Sequence, residues 1–438
     1  MKDTAFEYLL SLEQFGIKFG LDNIHTILAA LGHPEQAFRS VHIAGTNGKG
    51  SVTAMVDAAL RAAGYRSARY TSPHLIDLTE RFVIDGQPTA PDALSAAVGV
   101  VKDSVVDLKA RGSIDVQPTF FEVTTAAGFE LFKRAAVEVA VCEVGLGGRL
   151  DATNVLSPMV TAITSIALDH QQYLGATLAD IAAEKAGIIK SGIPVVVGAV
   201  DRQSADVIAR AALERGAPLI WAHEGVTAQE VTSRSDSQRF DLRTPTRNYG
   251  GLDLALAGAH QIDNAIVAVR VLESLDAAGF RVPREAVGAG LATVDWPGRL
   301  EHVTLADGRT ALLDAAHNPA AARTLAAFLA RQRDPRPLVF ATMRDKDAGG
   351  ILNALAPEVS AIVLTRASNP RSADPVALAA IAATAAPAVP LKVKASPHDA
   401  LDAAWQLSPH ILVAGSIFLL GDVMKELGRS TGLEASRS

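Results

Sequence analysis

Apolar runs of four to eight residues alternate with segments of helical periodicity along most of the chain. This alternation is typical of an α/β fold with a mainly parallel sheet. The polar segment 229–256 has alternating apolar positions, which predicts a small antiparallel excursion, and a helix is predicted over 261–278. Strands are predicted at 41–44, 67–70, 137–144, 160–166 and 194–200, with helices between them, for example at 177–189 and 204–215.

A second alternating set begins after Trp296, where Pro297-Gly298 predicts a hinge. Because 438 residues exceed what one hydrophobic core usually serves, two domains are expected. We predict an N-terminal phosphate-loop ATPase domain at 1–297 and a smaller, Rossmann-like α/β domain at 298–438. The strands of the second domain are predicted at 311–315, 338–341, 361–365 and 411–414, separated by alanine-rich helices.

Composition narrows the class of protein. A formal net charge of −6 argues against a general nucleic-acid or membrane-surface binder. The single cysteine, Cys142, excludes an internal disulfide and fits a reducing compartment. The N-terminus lacks the apolar core of a signal peptide, and no apolar run is long enough to cross a bilayer. We therefore expect a cytoplasmic protein with neither a nucleic-acid nor a membrane partner.

A glycine-rich turn follows the predicted strand at 41–44. It spans 45–51 and reads GTNGKGS. Such a turn directs backbone N–H groups and a helix N-terminus at one point, which suits a polyphosphate. Lys49 would add a positive charge near the β- and γ-phosphates, and Ser51 an oxygen for Mg²⁺. The spacing departs from the usual phosphate loop, so an ordinary glycine-rich turn is the alternative. The candidate ATP-binding residues here are Thr46, Asn47, Gly48, Lys49, Gly50 and Ser51.

Polar residues also end two other predicted strands. Glu143 ends the strand at 137–144 and is placed to hold Mg²⁺, although capping a loop or pairing with Arg149 would also explain it. His170 follows the strand at 160–166 on the same sheet edge, where a ligand and a structural histidine are both open readings. On sequence alone, Lys185 is best explained as an exposed charge on a helix, and Ser72 as part of a proline turn.

The second half carries its own polar cluster, DAAHNP at 314–319. Asp314 could accept a hydrogen bond from a ribose or nucleotide hydroxyl, and His317 could contact phosphate or a carboxylate. Arg299, just after the hinge, could reach back to the phosphates. Residues from a second domain fit a cleft that closes on its substrates.

Taken together, these motifs resemble the folylpolyglutamate synthase/dihydrofolate synthase family, a branch of the Mur-type ATP-dependent amide ligases. The resemblance covers nearly the whole chain. The motifs that carry it are AGTNGKGS at 44–51, SPHL at 72–75 with Glu80-Arg81, TFFE at 119–122, EVGLGGRLDATN at 143–154, SIALDH at 165–170, EKAGI at 184–188, PGR at 297–299 and DAAHNP at 314–319.

The resemblance implies roles for individual residues. Ser51 would lie beside the triphosphate. One Mg²⁺ would be held near Ser72 and Glu143, and a second Mg²⁺ would be held by His170 and by Lys185 carrying a carbamate. The expected catalytic residues are Lys49, Lys185, His170 and His317, and the further ATP contacts are Asn264, Arg299 and Asp314. The expected substrate-binding residues are Lys18, Phe19, Gly20, Thr119, Phe121, Glu122, Leu150, Asp151 and Ala152, with a mobile loop at 71–86.

The implied activity is ATP-dependent joining of L-glutamate to dihydropteroate, to reduced folates, or to both, through an acyl phosphate. ATP and two Mg²⁺ ions are expected, without an organic redox cofactor, in a monomer. Folylpolyglutamate synthesis alone is an alternative, and an ATP-binding regulator without chemistry is another. A cell-wall Mur ligase is disfavoured, because the 44 residues before the phosphate loop are too few for a separate uridine-nucleotide domain.

Overall fold

Two largely parallel sheets, one in each half of the chain, organise the molecule. The computed structural model describes residues 4–12, 16 and 20–429. The predicted α/β class is confirmed, and helices cover both faces of each sheet. None of the described helices is both long enough and apolar enough to cross a membrane. The division at residue 297 stays a prediction.

The first sheet has eight strands in the order β4-β3-β2-β5-β1-β6-β7-β8. Its centre is β1, which pairs in parallel with β5 on one side and β6 on the other. Only the β2–β3–β4 edge is antiparallel. The strands are β1 Arg39–Ala44, β2 Ser67–Tyr70, β3 Phe82–Ile84, β4 Gln87–Pro88, β5 Val139–Glu143, β6 Val160–Ile163, β7 Val195–Val197 and β8 Leu219–Trp221.

Ten helices of the described chain pack around this sheet, and the most buried is the one that follows the glycine-rich turn. Its side chains from 50 to 60 are all buried, since it packs between the sheet and two later helices. The helices are α1 Thr4–Leu12, α2 Asp22–Ala30, α3 Lys49–Ala62, α4 Pro91–Ala110, α5 Phe120–Arg134, α6 Gln171–Leu174, α7 Leu178–Ala186, α8 Arg202–Glu214, α9 Ala259–Ala277 and α10 Arg284–Thr293.

The predicted antiparallel excursion is confirmed as a three-stranded sheet in the order β11-β10-β9. Its strands are β9 Thr227–Ser233, β10 Gln238–Arg243 and β11 Asn248–Leu254. Strand β10 alternates buried and exposed residues, as expected of a sheet with one face on the core. Its apolar side joins the core formed by α3, α9 and α10.

The second domain is built on six strands in the order β12-β13-β17-β14-β15-β16. All neighbours are parallel except the edge pair β12–β13. The strands are β12 Glu301–Thr304, β13 Thr310–Leu313, β14 Arg336–Phe340, β15 Val359–Leu364, β16 Leu391–Val393 and β17 His410–Ala414, and the helices are α11 Pro319–Gln332, α12 Ala348–Leu355, α13 Pro375–Ala385, α14 Pro397–Trp405 and α15 Ile417–Glu426.

The carboxyl edges of the two sheets face each other. Asn47, after β1, hydrogen-bonds with Asn318, after β13, and Asp169, after β6, pairs with Lys346, after β14. Ligands of open α/β sheets bind at these edges, so the polar loops of both domains line one cleft.

The loop after β2 also packs on the second domain. Leu75 and Ile76 lie against the core formed by β13, β17 and α15. The contact is close: a Cβ atom on Gly421, in α15, would lie 1.9 Å from the main-chain oxygen of Leu75. A glycine at this position is what allows the loop to reach the helix.

We predict that Gly421→Ala lowers the free energy of unfolding by about 1–3 kcal/mol, because the added methyl must displace main-chain atoms. Thermal and denaturant unfolding would measure the change. The matched control is Gly99→Ala in α4, where an added Cβ meets open space and alanine is the better helix former, so stability should rise by about 0.5–1 kcal/mol. Equal effects of the two substitutions would contradict the close contact.

Candidate active site

The glycine-rich turn is fixed in place by the end of β6. Main-chain N–H of Thr46 donates to the Ser165 carbonyl at 2.8 Å, and that of Asn47 donates to the Ser165 hydroxyl at 3.0 Å. At Gly45, which has φ +151°, a Cβ would lie 1.9 Å from the hydroxyl of Thr164. The turn therefore needs glycine there, and it delivers the N-terminus of the 14-residue α3 to the sheet edge. Free N–H groups at such a terminus favour an anion.

Lys49 folds back over this turn. Its Nζ donates to the main-chain oxygens of Gly45 at 3.1 Å and Thr46 at 3.2 Å, and lies 3.9 Å from Oε1 of Glu143. The ammonium group is thus held at the mouth of the turn, where it can offset negative charge on a bound group.

Glu143 lies at the carboxyl end of β5 and is buried. Burial raises the pKa of its carboxyl, while Lys49, Arg299 and the main-chain N–H of Ser72 act in the opposite direction. The alternative partner considered from sequence, Arg149, instead donates to Glu184 at 2.8 Å. Glu143 is therefore surrounded by cations and N–H donors, with Ser72 beside it.

Lys185 is buried, so the interpretation that it is an exposed charge is wrong. The amphipathic α7 turns Glu184 toward Arg149 and Lys185 inward, where Nζ donates to the Gly45 carbonyl at 2.9 Å. Burial, together with the nearby Lys49, lowers the pKa of Lys185 to about 7, against the opposing effect of Asp169 and Asp151. A large fraction of this amine is neutral at pH 7.

His170 stands at the edge of the same cluster, with φ +51° before the short α6. Burial lowers its pKa to about 4, helped by Lys346 and Lys49, so the ring is neutral at pH 7. Nε2 lies 3.0 Å from Nζ of Lys346, and Nδ1 lies 3.8 Å from the carboxylate of Asp345. Nδ1 is buried without a hydrogen-bond partner in the described part of the chain.

Asp169 connects the two domains. Its carboxylate accepts from Lys346 at 2.5 Å and from Asn318 at 3.1 Å, and Nε2 of His317 lies 3.6 Å away. Burial raises the pKa of Asp169, but Lys346, His317 and His170 outweigh that effect and the net shift is downward. Asp169 is therefore an anion, and its contacts hold polar loops of the second domain against the first domain.

The second-domain residues are held by main-chain contacts. Asp314 is buried and accepts from the N–H groups of Leu300 at 3.0 Å and Ala316 at 2.9 Å. Burial raises the pKa of Asp314 and the neighbouring Arg299 lowers it. Burial lowers the pKa of His317 to about 4, and its Nδ1 lies 2.9 Å from the Ala315 oxygen. Hydrogen bonds thus join the chain after the linker, at Leu300, to the cluster at 314–319.

Asn264 and Arg299 complete the predicted ATP set. The Asn264 amide faces the turn, since a Cβ on Gly48 would lie 2.4 Å from its Oδ1. Arg299 acts electrostatically on both Glu143 and Asp314, which places it between the two domains. Ser51 is buried in the first turn of α3. All the predicted ATP residues therefore lie at one cleft.

The predicted substrate residues lie beside it in two groups. Phe121 packs on the glycine loop after β5, where a Cβ on Gly145 would lie 2.6 Å from its ring. Asp151 accepts from Leu146 N–H at 2.9 Å and so shapes the same loop. The side chains of Thr119 and Glu122 hydrogen-bond to each other as the cap of α5, Leu150 is partly exposed, and Ala152 lies in the apolar core. Gly20 lies among the described residues, and Lys18 and Phe19 lie outside them.

The donors for a metal ion are dispersed. Across residues 4–12, 16 and 20–429, no three His, Cys, Asp or Glu side chains form a group that could hold a metal. The predicted set instead combines Glu143 and His170 with Ser51, Ser72 and Lys185. The buried carboxylate of Glu143 is compatible with a divalent cation. In His170, Nε2 accepts from the Lys346 ammonium, so Nδ1 of the neutral ring carries the proton.

Sequence reasoning did not identify Lys346 or Asp345, which reach His170 from the loop after β14. The signal was present in the charged run Arg344-Asp345-Lys346-Asp347 at the carboxyl end of a predicted strand. A polar run at that position follows the same rule that located Glu143 and Asp314.

Comparisons with known proteins agree with this architecture. The family model of the Mur ligase middle domain matches residues 43–272, and that of the Mur ligase, glutamate ligase domain matches residues 298–417. The dihydrofolate synthase/folylpolyglutamate synthase of Mycobacterium tuberculosis is 39% identical over 412 residues, covering 88% of this chain and 82% of that protein.

Solved structures show the same fold. Folylpolyglutamate synthase of Mycobacterium tuberculosis, complexed with ADP and AMPPCP, superposes with a TM-score of 0.89 at 35% identity, over 97% of this chain and 99% of that one. FolC of E. coli, in complex with DHPP and ADP, gives a TM-score of 0.83 at 32% identity, over 99% of this chain and 98% of that one.

We predict that the buried amine of Lys185 makes stability depend on pH. Its pKa is about 7 in the folded protein and 10.5 in its ordinary state, so the unfolded chain holds the extra proton between those values. The free energy of unfolding should therefore rise with pH in this window, by at most about 1.4 kcal/mol per pH unit from this group. Denaturant titrations of wild type and Lys185→Met at pH 7, 8 and 9, in buffer purged of CO₂, would measure the difference. Parallel profiles of the two proteins would contradict the assignment.

Proposed function

The chain belongs to the Mur ligase family, in the branch of dihydrofolate and folylpolyglutamate synthases, and we propose that it joins L-glutamate to a pterin-linked carboxylate. It is an ATP-dependent ligase that releases ADP and phosphate. The observation that carries the proposal is the convergence of Lys49, Glu143, His170 and Lys185 on the turn at 45–51, beneath the polar loops of a second domain. A monomer in the cytoplasm stays a prediction.

The chemistry begins with a carboxylate, which is a poor electrophile toward an amine. Attack of its oxygen on the γ-phosphorus of ATP expels ADP and gives an acyl phosphate, which loses phosphate readily. Two anions must meet in this step. Lys49 lies over the phosphate turn and Arg299 lies between the domains, so both can offset the repulsion. Preorganised cations of this kind are worth several kcal/mol in a water-poor site.

The residues that would hold Mg²⁺ are Ser51, Ser72 and Glu143 at one position and His170 with a modified Lys185 at another. Bound there, the ions would add positive charge near the phosphates. His170 is neutral at pH 7, since its pKa is about 4, and its Nε2 would bind an ion in place of the Lys346 ammonium from which it accepts. Glu143 is the one carboxylate of the set; burial raises its pKa, and Lys49 and the Ser72 N–H oppose that effect.

The modification of Lys185 follows from its environment. An amine with a pKa near 7 has a large neutral fraction, and only the neutral amine adds to CO₂ to form a carbamate. The product is an anion, which would replace donation to the Gly45 oxygen by attraction to Lys49. The charge of the cluster would then suit divalent cations better than two neighbouring ammonium groups do.

Glutamate completes the reaction when its α-amine attacks the acyl phosphate and phosphate leaves. The acyl phosphate also hydrolyses, so water must be kept out while glutamate binds. The second domain is held over the site through Asp169, Asn318 and Lys346, which is a way to limit water access. Holding the reactants in a fixed geometry can contribute roughly 7–11 kcal/mol to the rate.

The acceptor is proposed to be dihydropteroate as well as reduced folates. The pterin would lie against Phe121 and the glycine loop that Asp151 shapes, a site that both acceptors can share. The Mycobacterium tuberculosis relative is named for both activities, which supports the bifunctional reading. Folylpolyglutamate synthesis alone is the alternative.

The test is glutamate-dependent ADP release with dihydropteroate and with tetrahydrofolate as separate acceptors, together with incorporation of labelled glutamate. We predict that Lys49→Ala lowers ADP formation by at least about 100-fold with either acceptor, because a cation worth several kcal/mol at the phosphates is lost. The circular dichroism spectrum and the thermal midpoint of the variant should stay near those of wild type.

Turnover of Lys49→Ala at near wild-type rate would contradict the phosphate-loop assignment. ADP release that does not require glutamate would contradict the ligase assignment and favour a simple ATPase or regulator. Activity with tetrahydrofolate but not with dihydropteroate would select the single-activity alternative.

A second prediction concerns the carbamate. Lys185→Ala should lose activity, and small carboxylates such as acetate should restore part of it by occupying the space of the missing anion. Steady-state rates with increasing acetate would measure the rescue, with chloride at the same ionic strength as the control. Full activity without added carboxylate would remove the proposed role of Lys185.

A further inference from the structure

The side chain of Trp296 packs directly on the phosphate turn. Trp296 precedes the Pro297-Gly298 linker, and a Cβ added to Gly50 would lie 2.4 Å from its Cζ2 and 3.0 Å from its Nε1. Gly50 follows Lys49 in the first turn of α3. The last side chain of the first domain before the linker is therefore in contact with the turn that faces the triphosphate.

A second close contact lies in the last turn of α3, where a Cβ on Gly290 of α10 would lie 2.4 Å from the main-chain nitrogen of Ala59. Nine residues separate Gly50 from Ala59, which is roughly 13.5 Å of helix. The chain from 290 to 296 thus runs back along α3 from its last turn to its first.

Arg69 also contacts the indole. Its guanidinium carbon lies 5.3 Å from the ring centroid of Trp296, and its Nη1 lies 3.8 Å from the carboxylate of Asp57. Asp57 belongs to α3, is fully buried, and also accepts from the Ser67 hydroxyl. Arg69 on β2 is therefore paired with α3 while it lies over the ring, and a partly buried cation on an aromatic face is attractive.

The linker beyond Trp296 is equally fixed. Gly298 accepts from Ala315 N–H at 2.9 Å and donates to Glu301 at 2.8 Å. Arg299 comes three residues after the indole and acts on Glu143 and Asp314. One short segment thus contacts the phosphate turn at its start and supplies a cation to the cleft at its end.

We propose that Trp296 is a positioning residue for the nucleotide. Clamped between Gly50 and Arg69, it sets the first turn of α3 beneath the phosphates and fixes the point from which the linker carries Arg299 into the cleft. This inference rests on the proposed nucleotide site. It assigns a role to the Trp296–Arg69–Asp57 group that goes beyond the ligase reaction itself.

The test is equilibrium binding of ADP, measured by calorimetry on the full chain, with no dependence on turnover. Trp296→Phe removes the atoms that face Gly50 and should weaken ADP binding by roughly three- to tenfold, as loss of a contact of about 1 kcal/mol implies. Arg69→Met should act in the same direction. The KM for ATP should rise while the KM for glutamate stays unchanged.

The chain offers a matched control. Trp405 lies under Arg309 at 4.3 Å in the second domain, so Trp405→Phe makes the same chemical change in a similar cation–ring pair away from the linker. It should leave ADP affinity at the wild-type value. A general loss of stability on removing an indole would affect both variants alike.

A second test adds a methyl group at Gly50 and removes ring atoms from Trp296, which it would strike. Gly50→Ala should weaken ADP binding because the methyl strikes the indole, and Gly50→Ala combined with Trp296→Phe should bind better than Gly50→Ala alone. In a Trp221→Phe/Trp405→Phe background, saturation with ADP should also change the emission of Trp296.

Equal ADP affinity in wild type and Trp296→Phe would overturn this inference, as would equal losses in Trp296→Phe and Trp405→Phe. Absence of ADP binding by the wild-type chain would overturn the proposed nucleotide site and the positioning role with it. A Gly50→Ala variant that gains nothing from Trp296→Phe would also overturn the clamp.

Discussion

Two lysine side chains from different helices donate to the same main-chain oxygen, that of Gly45. Like charges so close cannot both be fully ionised at little cost in a buried site. Two features reduce the repulsion between the two ammonium groups. The pKa of Lys185 is lowered to about 7, and the carboxylate of Glu143 lies 3.9 Å from Nζ of Lys49. The arrangement is short of negative charge for as long as no anion is bound. A triphosphate with its metal ions, or a carbamate on Lys185, would bring the cluster closer to neutrality. The positive charge of the free site therefore favours binding of the anionic substrate.

The second domain is joined to this cluster through one anion. Asp169 accepts from Lys346 and Asn318 and lies near His317, all on loops at the carboxyl edge of the second sheet. Asn318 in turn bonds with Asn47 of the phosphate turn. Beside the apolar contact of Leu75 and Ile76 with the second domain, the loops that would meet glutamate are therefore held against the loop that would hold ATP by polar contacts. Such contacts can break and re-form as the cleft opens, which suits a site that must admit three substrates and release three products.

Much of the framework was predictable because it rests on short-range rules. The buried runs at 41–44 and 67–70 alternate with helices, and polar residues such as Glu143 and Asp314 fall where parallel strands end. The sequence alone did not predict which of two adjacent charged side chains on a helix faces the protein interior. Glu184 and Lys185 are neighbours, and only the packing of α7 on the phosphate turn decides that the lysine turns inward. The short strands β3, β4 and β16, two to three residues long, carry too little periodicity to predict.

Three glycines of the turn each make a close contact with a different, distant segment of the chain. Gly45 faces Thr164 after β6, Gly48 faces Asn264 on α9, and Gly50 faces Trp296 at the linker, each so closely that a Cβ would collide. Each contacting residue lies more than 100 positions from the turn in sequence, so the path of the turn is set by tertiary packing as well as by local conformation. A loop fixed from three sides needs little reorganisation when a triphosphate binds. Lys49, between two of these glycines, then acts from a fixed position, and movement is left to the second domain, whose contacts with this turn are polar.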